Sequence, residues 1–120
     1  MDKIFDFNPT IYPVKIWVTV GASTQYLNSL FKNKVEDIPS HLHGKTTFET
    51  KIGNADECGV LIRFDSKENM SAKMISHESA HAALKIFEKI GGKVSHDSDE
   101  LFAYLIGYVA GCISDVKSAI

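Results

Sequence analysis

The hydrophobic pattern of this chain changes from strand-like to helix-like near Ser71, and this change constrains the fold more than any other feature. Before that point, Val14–Val20 is alternating and β-branched and Gly59–Phe64 is a short apolar run, both typical of β-strands. Beyond it, apolar residues recur every three or four positions, as in amphipathic helices. All three prolines precede residue 40, which favours regular helix in the remainder. Strands and helices segregated in this way indicate an α+β fold.

The pattern gives the order strand, helix, two strands, helix, helix. The predicted elements are a strand over 14–20, a short helix after Ser23 or Thr24, a loop over 33–45, a weakly alternating strand over 46–52, a strand over 59–64, a helix from Ser71 to the stop at Gly91–Gly92, and a helix from Ser98-Asp99-Glu100 to beyond Val116. We expect a small mixed or antiparallel sheet packed against the two long helices. A length of 120 residues favours a single domain over 1–120.

Charge and composition exclude several classes of function. The formal net charge of −2 argues against a protein dominated by contacts to nucleic-acid phosphates, which need clustered Lys and Arg. No apolar run approaches the roughly 18–20 residues of a membrane span. The first six residues include acids rather than the basic, then apolar, pattern of a signal peptide. Two cysteines are too few for a disulfide scaffold. We therefore expect a soluble, cytoplasmic protein.

The candidate chemistry lies on the first long helix, in the motif His77-Glu78-Ser79-Ala80-His81, which has the pattern H-E-x-x-H. Residues four apart lie on one face of a helix, so both imidazoles can point at one metal ion. Glu78 lies about 100° around the helix from His77, where it can take a proton from water that the metal activates. A catalytic zinc has three protein ligands in most enzymes, so a third is needed.

Glu100 is the best third ligand in the sequence, 19 positions after His81. That separation allows the first helix to end, turn and return as a second helix. Ala103, Gly107 and Gly111 follow Glu100 at spacings of three or four and predict a small-residue face. Close packing of that face on alanines of the first helix would bring the Glu100 carboxylate to the metal.

Other residues have both a functional and an ordinary structural interpretation. His96 is a substitute ligand or an exposed loop histidine, and Asp99 supports a ligand histidine or is a solvated acid at a helix start. Tyr104 reaches the metal-bound oxyanion or packs in the core. Cys112, like Cys58, is a small buried apolar residue or a thiolate ligand. His41 and His43, beside Pro39 and Gly44, are expected in a loop rather than in a second metal site.

His77–His81 followed by Glu100 resembles the gluzincin branch of the zincin metallopeptidases. The spacing of eighteen intervening residues is similar to that of the gluzincin aminopeptidases, whose third-ligand segment Asn-Glu-Gly-Phe-Ala compares with Asp99-Glu100-Leu101-Phe102-Ala103. Residues 75–107 also resemble small zincin-like proteins encoded by phages and prophages. The chain is much shorter than an aminopeptidase and has no recognisable exopeptidase motif, so aminopeptidase specificity is not implied.

The resemblance implies a minimal zincin-like domain in which His77, His81 and Glu100 bind Zn²⁺ and Glu78 is the catalytic base. It also implies a protein or peptide substrate held against a strand that precedes the helix, for which Thr46–Ile52 is the better edge candidate. The leading hypothesis is a zinc-dependent peptidase. The alternative is a non-catalytic zincin-like zinc-binding module that binds or regulates a protein, because 120 residues leave little material for a deep cleft. A third hypothesis is a metal-free structural protein. The oligomeric state cannot be inferred from the sequence.

Overall fold

Four strands form one sheet in the order β1-β2-β4-β3, and two long helices cover one of its faces. The structure is a computed structural model that describes residues 1–9, 13–54, 56–93, 95–97 and 99–120. The elements in chain order are β1 (Phe5–Phe7), β2 (Lys15–Val20), α1 (Thr24–Asn28), β3 (Gly44–Thr50), β4 (Cys58–Phe64), a 3₁₀ turn (Lys67–Asn69), α2 (Ala72–Lys89) and α3 (Asp99–Ala119). The α+β class is as predicted, and the sheet is the mixed one of the two sheet types that were expected.

The two central strands, β2 and β4, are parallel, and their neighbours are antiparallel to them. Both read as nearly continuous apolar runs because both faces of the sheet are covered. On one face, α2 and α3 pack over the larger core. On the other, Trp17 and Leu61 pack with Leu27 and Phe31 of the α1 region and with Val35. The β3 strand is left at one edge of the sheet, beside α2.

Local signals explain the limits of α2. The Ser71 side chain accepts a hydrogen bond from the backbone N–H of Met74, which caps the first turn. At the other end, Gly91 has φ 86°, and the backbone N–H of Gly92 donates to the carbonyl of Phe87 at 2.8 Å. This is a Schellman ending, which needs a residue with positive φ and therefore favours glycine. Ser98, which the sequence placed at the start of the last helix, lies outside the described residues.

The prediction that α3 packs through its small residues is wrong. Ala103, Gly107 and Gly111 are exposed, and a Cβ added at either glycine would meet no atom within 4 Å. The helix instead buries a stripe that includes Leu105 and Val109. Large apolar side chains remove more surface from water than small ones do, and this outweighs the closer backbone approach that the small residues offer.

Candidate functional site

The two motif histidines converge on one point. Their Nε2 atoms lie 3.2 Å apart, and their ring centroids are separated by 4.7 Å. Two nitrogens bound to one tetrahedral zinc, each at about 2.05 Å, would lie about 3.3 Å apart. His77 and His81 are both exposed on α2, so the point between their nitrogens is open to solvent. The donor chemistry and the spacing of this pair fit a zinc ion.

Glu78 is buried beside the histidine pair and is held in position by the sheet. Its side chain is 4% exposed, and its Oε2 lies 3.9 Å from Nε2 of His77. Its Oε1 accepts a hydrogen bond of 2.7 Å from the hydroxyl of Thr46 on β3. One carboxylate oxygen is therefore fixed by Thr46 while the other faces the histidines, which is the arrangement that a base beside a metal requires.

Gly44 lets β3 approach α2 closely at this point. A Cβ added there would lie 3.2 Å from Cε of Met74 and 3.4 Å from Cγ of Glu78, tighter than or at the limit of ordinary contact. The residue just before it, His43, has φ 62°, and its Nδ1 lies 2.8 Å from Oδ2 of Asp65. Together these two residues fix where the loop ends and β3 begins.

An open groove of about 400 Å³ lies between β3, α2 and the loop before β3. Its lining includes His41, Gly44, Lys45, Thr46, Lys73, His77, Glu78, His81 and Lys85. His41 therefore borders the same groove as the motif, although it was expected in a loop and not in a metal site. Thr46 is a functional candidate that sequence reasoning missed, and both residues lie more than 30 positions from the motif. The sequence signals that could have pointed to these two residues were the His41–His43 pair and the predicted strand at Thr46.

Glu100 does not line this groove. It is exposed in the first turn of α3, two residues before Phe102, whose ring centroid lies 5.9 Å from that of Phe87. Phe87 lies six residues beyond His81, about 9 Å along the axis of α2. The start of α3 therefore packs near the end of α2, while His77 and His81 lie near the middle of that helix. Over the described ranges, no group of three or more His, Cys, Asp or Glu side chains is arranged to hold a metal ion.

The other residues singled out in the sequence also lie outside the groove lining. His96, Asp99 and Tyr104 are exposed, and Tyr104 retains 57% of its accessible surface. Cys112 is buried in α3, and burial raises the pKa of its thiol to about 11. A thiol that stays protonated at neutral pH is a poor metal ligand. Cys58 begins β4 and is half-buried.

Among the described residues, the outer edge of β3 is unpaired from Gly44 to Phe48 and borders the groove there, whereas the carbonyl of Thr50 accepts a hydrogen bond from the backbone N–H of Lys32. Lys45 lies opposite Arg63 of β4. At the two ends of the ladder, the backbone N–H of Asp65 donates to the carbonyl of His43, and the backbone N–H of Lys51 donates to the carbonyl of Glu57. The odd-numbered residues of β3 therefore make the backbone hydrogen bonds to β4. In an antiparallel pair the alternate residues point their backbone groups the other way. The backbone N–H and C=O groups of Gly44, Thr46 and Phe48 therefore face outward. β3 thus occupies the edge that the sequence predicted for Thr46–Ile52.

In the described part of the chain, no helix is long and apolar enough to cross a membrane. Comparisons of the sequence with protein-family models and curated proteins, and of the structure with solved structures, find no match.

Proposed function

We propose that this chain is a zinc-dependent hydrolase that cleaves peptide bonds, with a zincin-like site built on α2. The observation that carries the proposal is the convergence of His77 and His81 beside the buried carboxylate of Glu78. Zinc, when bound, supplies a Lewis acid that polarises a carbonyl and makes water acidic enough to ionise near neutral pH.

Glu78 does the proton transfer in this proposal. It accepts a proton from the attacking water as the new C–O bond forms, and it returns that proton to the leaving nitrogen as the C–N bond breaks. Thr46 holds one carboxylate oxygen, so the other keeps its direction toward the histidines. Because Glu78 is almost completely buried, few other waters compete with the attacking water for its carboxylate.

The edge of β3 supports a peptide as the substrate. Outward-facing backbone groups at Gly44, Thr46 and Phe48 offer hydrogen bonds to an extended chain that adds to the sheet. The same strand carries the hydroxyl that holds Glu78, so a peptide paired with β3 would pass beside the catalytic base. A small non-peptide substrate would leave these groups unused.

Two residues compete for the third ligand position. Glu100 comes from the resemblance to gluzincins, and His41 comes from the lining of the groove. Zinc affinity measured for Glu100→Gln and for His41→Ala decides between them, because the loss of a true ligand weakens binding at least about tenfold. His96→Ala tests the substitute ligand that the sequence offered; because His96 is exposed and outside the groove lining, we expect its removal to leave zinc affinity unchanged.

The proposal is tested by Glu78→Gln in a peptide-hydrolysis assay with zinc present. We expect the variant to keep zinc and to lose turnover by at least about a hundredfold, since general-base catalysis contributes on this scale. Glu68→Gln, an exposed position in the 3₁₀ turn before α2 and outside the groove lining, should leave turnover unchanged. Hydrolysis that persists in Glu78→Gln, or the absence of hydrolysis in a zinc-loaded wild-type protein tested on a broad peptide mixture, would contradict the proposal. The second result would favour the non-catalytic zinc-binding module.

A further inference from the structure

The face of α2 that borders the groove carries a row of basic side chains. Lys73, His77, His81, Lys85 and Lys89 follow one another at intervals of four residues, so neighbouring members lie one turn apart and the stripe slants around the helix by about 40° per step. The two histidines of the proposed metal site therefore have a lysine one turn before them and a lysine one turn after them.

In the part of the chain that the structure describes, the lysines of the groove have no acidic partner. Across the described residues, none of Lys45, Lys73 and Lys85 forms an ion pair, and Glu78 is the only acid in the groove lining. Glu78 is buried and already accepts a hydrogen bond from Thr46. A chain with a net charge of −2 thus presents a positively charged groove beside its candidate site.

The basic stripe continues along β3 beyond the histidines. A second shallow depression is lined by Phe48, Lys85, Glu88 and Lys89. The Nζ of Lys89 lies 5.0 Å from the centroid of the Phe48 ring, which draws this lysine toward the strand. Glu88 is the one acid on this stretch of the lining. Basic side chains of α2 therefore lie beside β3 as far as Phe48.

The spacing of the stripe matches an extended peptide. Lys73 and Lys85 lie twelve residues apart, about 18 Å along the helix axis. An extended chain covers that distance in five or six residues, at about 3.3 Å per residue. A peptide added to β3, with its scissile bond near the histidines, would place side chains two or three residues away on either side close to a lysine.

We propose that the groove selects extended peptide segments with acidic side chains two or three residues on either side of the bond next to the histidines. This inference rests on the proposed function for the peptide-binding role of the groove, and it adds the chemical class of the substrate. The outward-facing backbone groups of β3 favour a peptide over a nucleic acid, because a phosphodiester chain has no backbone N–H to pair with a strand edge.

The experiment measures binding rather than cleavage, using Glu78→Gln so that no probe is consumed. The probe is a fluorescent ten-residue peptide with Glu at alternate positions and Thr between them. Matched peptides carry Gln or Lys in place of Glu. Each affinity is measured with zinc and again with a chelator, because Glu carboxylates can bind zinc directly.

We expect the Glu peptide to bind about tenfold more tightly than the Gln peptide at about 50 mM salt, and the preference to shrink as salt is added. The double variant Lys73→Glu/Lys85→Glu should lose this preference and favour the Lys peptide. The control Lys3→Glu/Lys34→Glu makes the same change of net charge outside the groove lining and should keep it. The melting temperature of each variant shows whether it is folded. The milder Lys73→Gln/Lys85→Gln variant removes the charges without reversing them, so a loss of recognition can be told from a loss of folding.

Equal affinity for the Glu and Gln peptides, or an acidic preference that survives in the groove double variant, would overturn the inference. A single-stranded oligonucleotide that binds as tightly as the Glu peptide through the same two lysines would also overturn it, in favour of phosphate recognition. A preference that depends on the lysines and persists with chelator would support the inference even if Glu78→Gln proved to have no catalytic effect. The experiment therefore distinguishes a failure of the proposed catalytic function from a failure of the proposed peptide selectivity.

Discussion

At the scale of single residues, the site depends on contacts that join distant parts of the chain. Glu78 lies in the motif, but the hydroxyl that holds its carboxylate comes from Thr46, which lies 32 residues earlier. Helical spacing accounts for His77 and His81 on one face and for Glu78 about 100° around the helix from His77. Neither spacing nor composition reveals Thr46, since its contact exists only after β3 pairs with β4 and α2 packs beside it.

In the proposed function Thr46 is a positioning residue, because its hydroxyl donates to Glu78, and its removal should affect turnover more than binding. We expect Thr46→Val to lower kcat about tenfold with little change in KM and with unchanged zinc content, because the carboxylate loses its fixed direction. Thr46→Ser should restore most of the activity. Thr47→Val is the control, since the Thr47 hydroxyl is buried without a partner in the described residues and faces away from Glu78. Equal losses in the Val and Ser variants would contradict this role.

Asp65 makes the stability of the loop before β3 dependent on pH. Partial burial raises the pKa of Asp65, but hydrogen bonds from His43, Asn69 and the Ser66 backbone, with the charge of His43, outweigh it and lower the pKa below its usual value. A carboxyl with a lowered pKa stabilises the folded state above its unfolded pKa, and that contribution is lost as pH falls through the folded pKa.

Asp65→Asn should therefore reduce the free energy of unfolding at pH 7 by less than about 1 kcal/mol, because the pair is largely exposed to solvent. The difference from wild type should shrink as the pH falls through the lowered folded pKa of Asp65, because the carboxyl is then protonated in both the folded and the unfolded state. Denaturant titrations at several pH values measure this. Asp97→Asn, on the exposed segment before α3, is the control. A difference that stays constant with pH would contradict the account.

At the scale of elements, strong local patterns were sufficient to predict the longer strands and helices. The sequence predicted β2, β4, α2 and α3 because each has a sustained period or a clear stop signal, such as the glycines after α2. It missed β1, which has only three residues and pairs with a strand about ten residues later. The parallel pairing of β2 with β4 could not be inferred, because strand order depends on long-range packing rather than on local pattern.

The dependence on long-range packing also explains why the prediction for the small-residue face of α3 was wrong. Its spacing alone fits either close packing or solvent exposure, and the competing apolar stripe decides the orientation. The position of Glu100 relative to the histidines depends on how α3 pairs with α2, which no local signal specifies. Glu100 therefore stays a prediction for the third ligand.

Two glycine substitutions test these assignments in opposite directions. Gly91→Ala should destabilise the protein by about 1 kcal/mol, because an alanine is strained at φ 86°. Gly107→Ala should stabilise it by about 0.5–1 kcal/mol, since the position is helical and a Cβ would meet no atom. Chemical denaturation gives both values. A destabilised Gly107→Ala would show that this face of α3 is packed after all.

At the scale of the whole molecule, the fold places a free strand edge, a basic helix face and the H-E-x-x-H motif around one groove. The edge position of β3 follows from the sheet order, and the lysines follow from the repeat of α2. The zinc that the histidines fit would bind only the folded chain, because the pair converges only in the helix. Bound zinc should therefore raise the melting temperature.

The most direct test of the central claim is the zinc content of protein purified without a histidine tag, measured by elemental analysis after reconstitution and removal of free metal. The account predicts about one zinc per chain in the wild type, loss of that zinc in His77→Ala and in His81→Ala, and retention in the His96→Ala control. A wild-type protein that binds no zinc, or zinc retained in both motif variants, would contradict it.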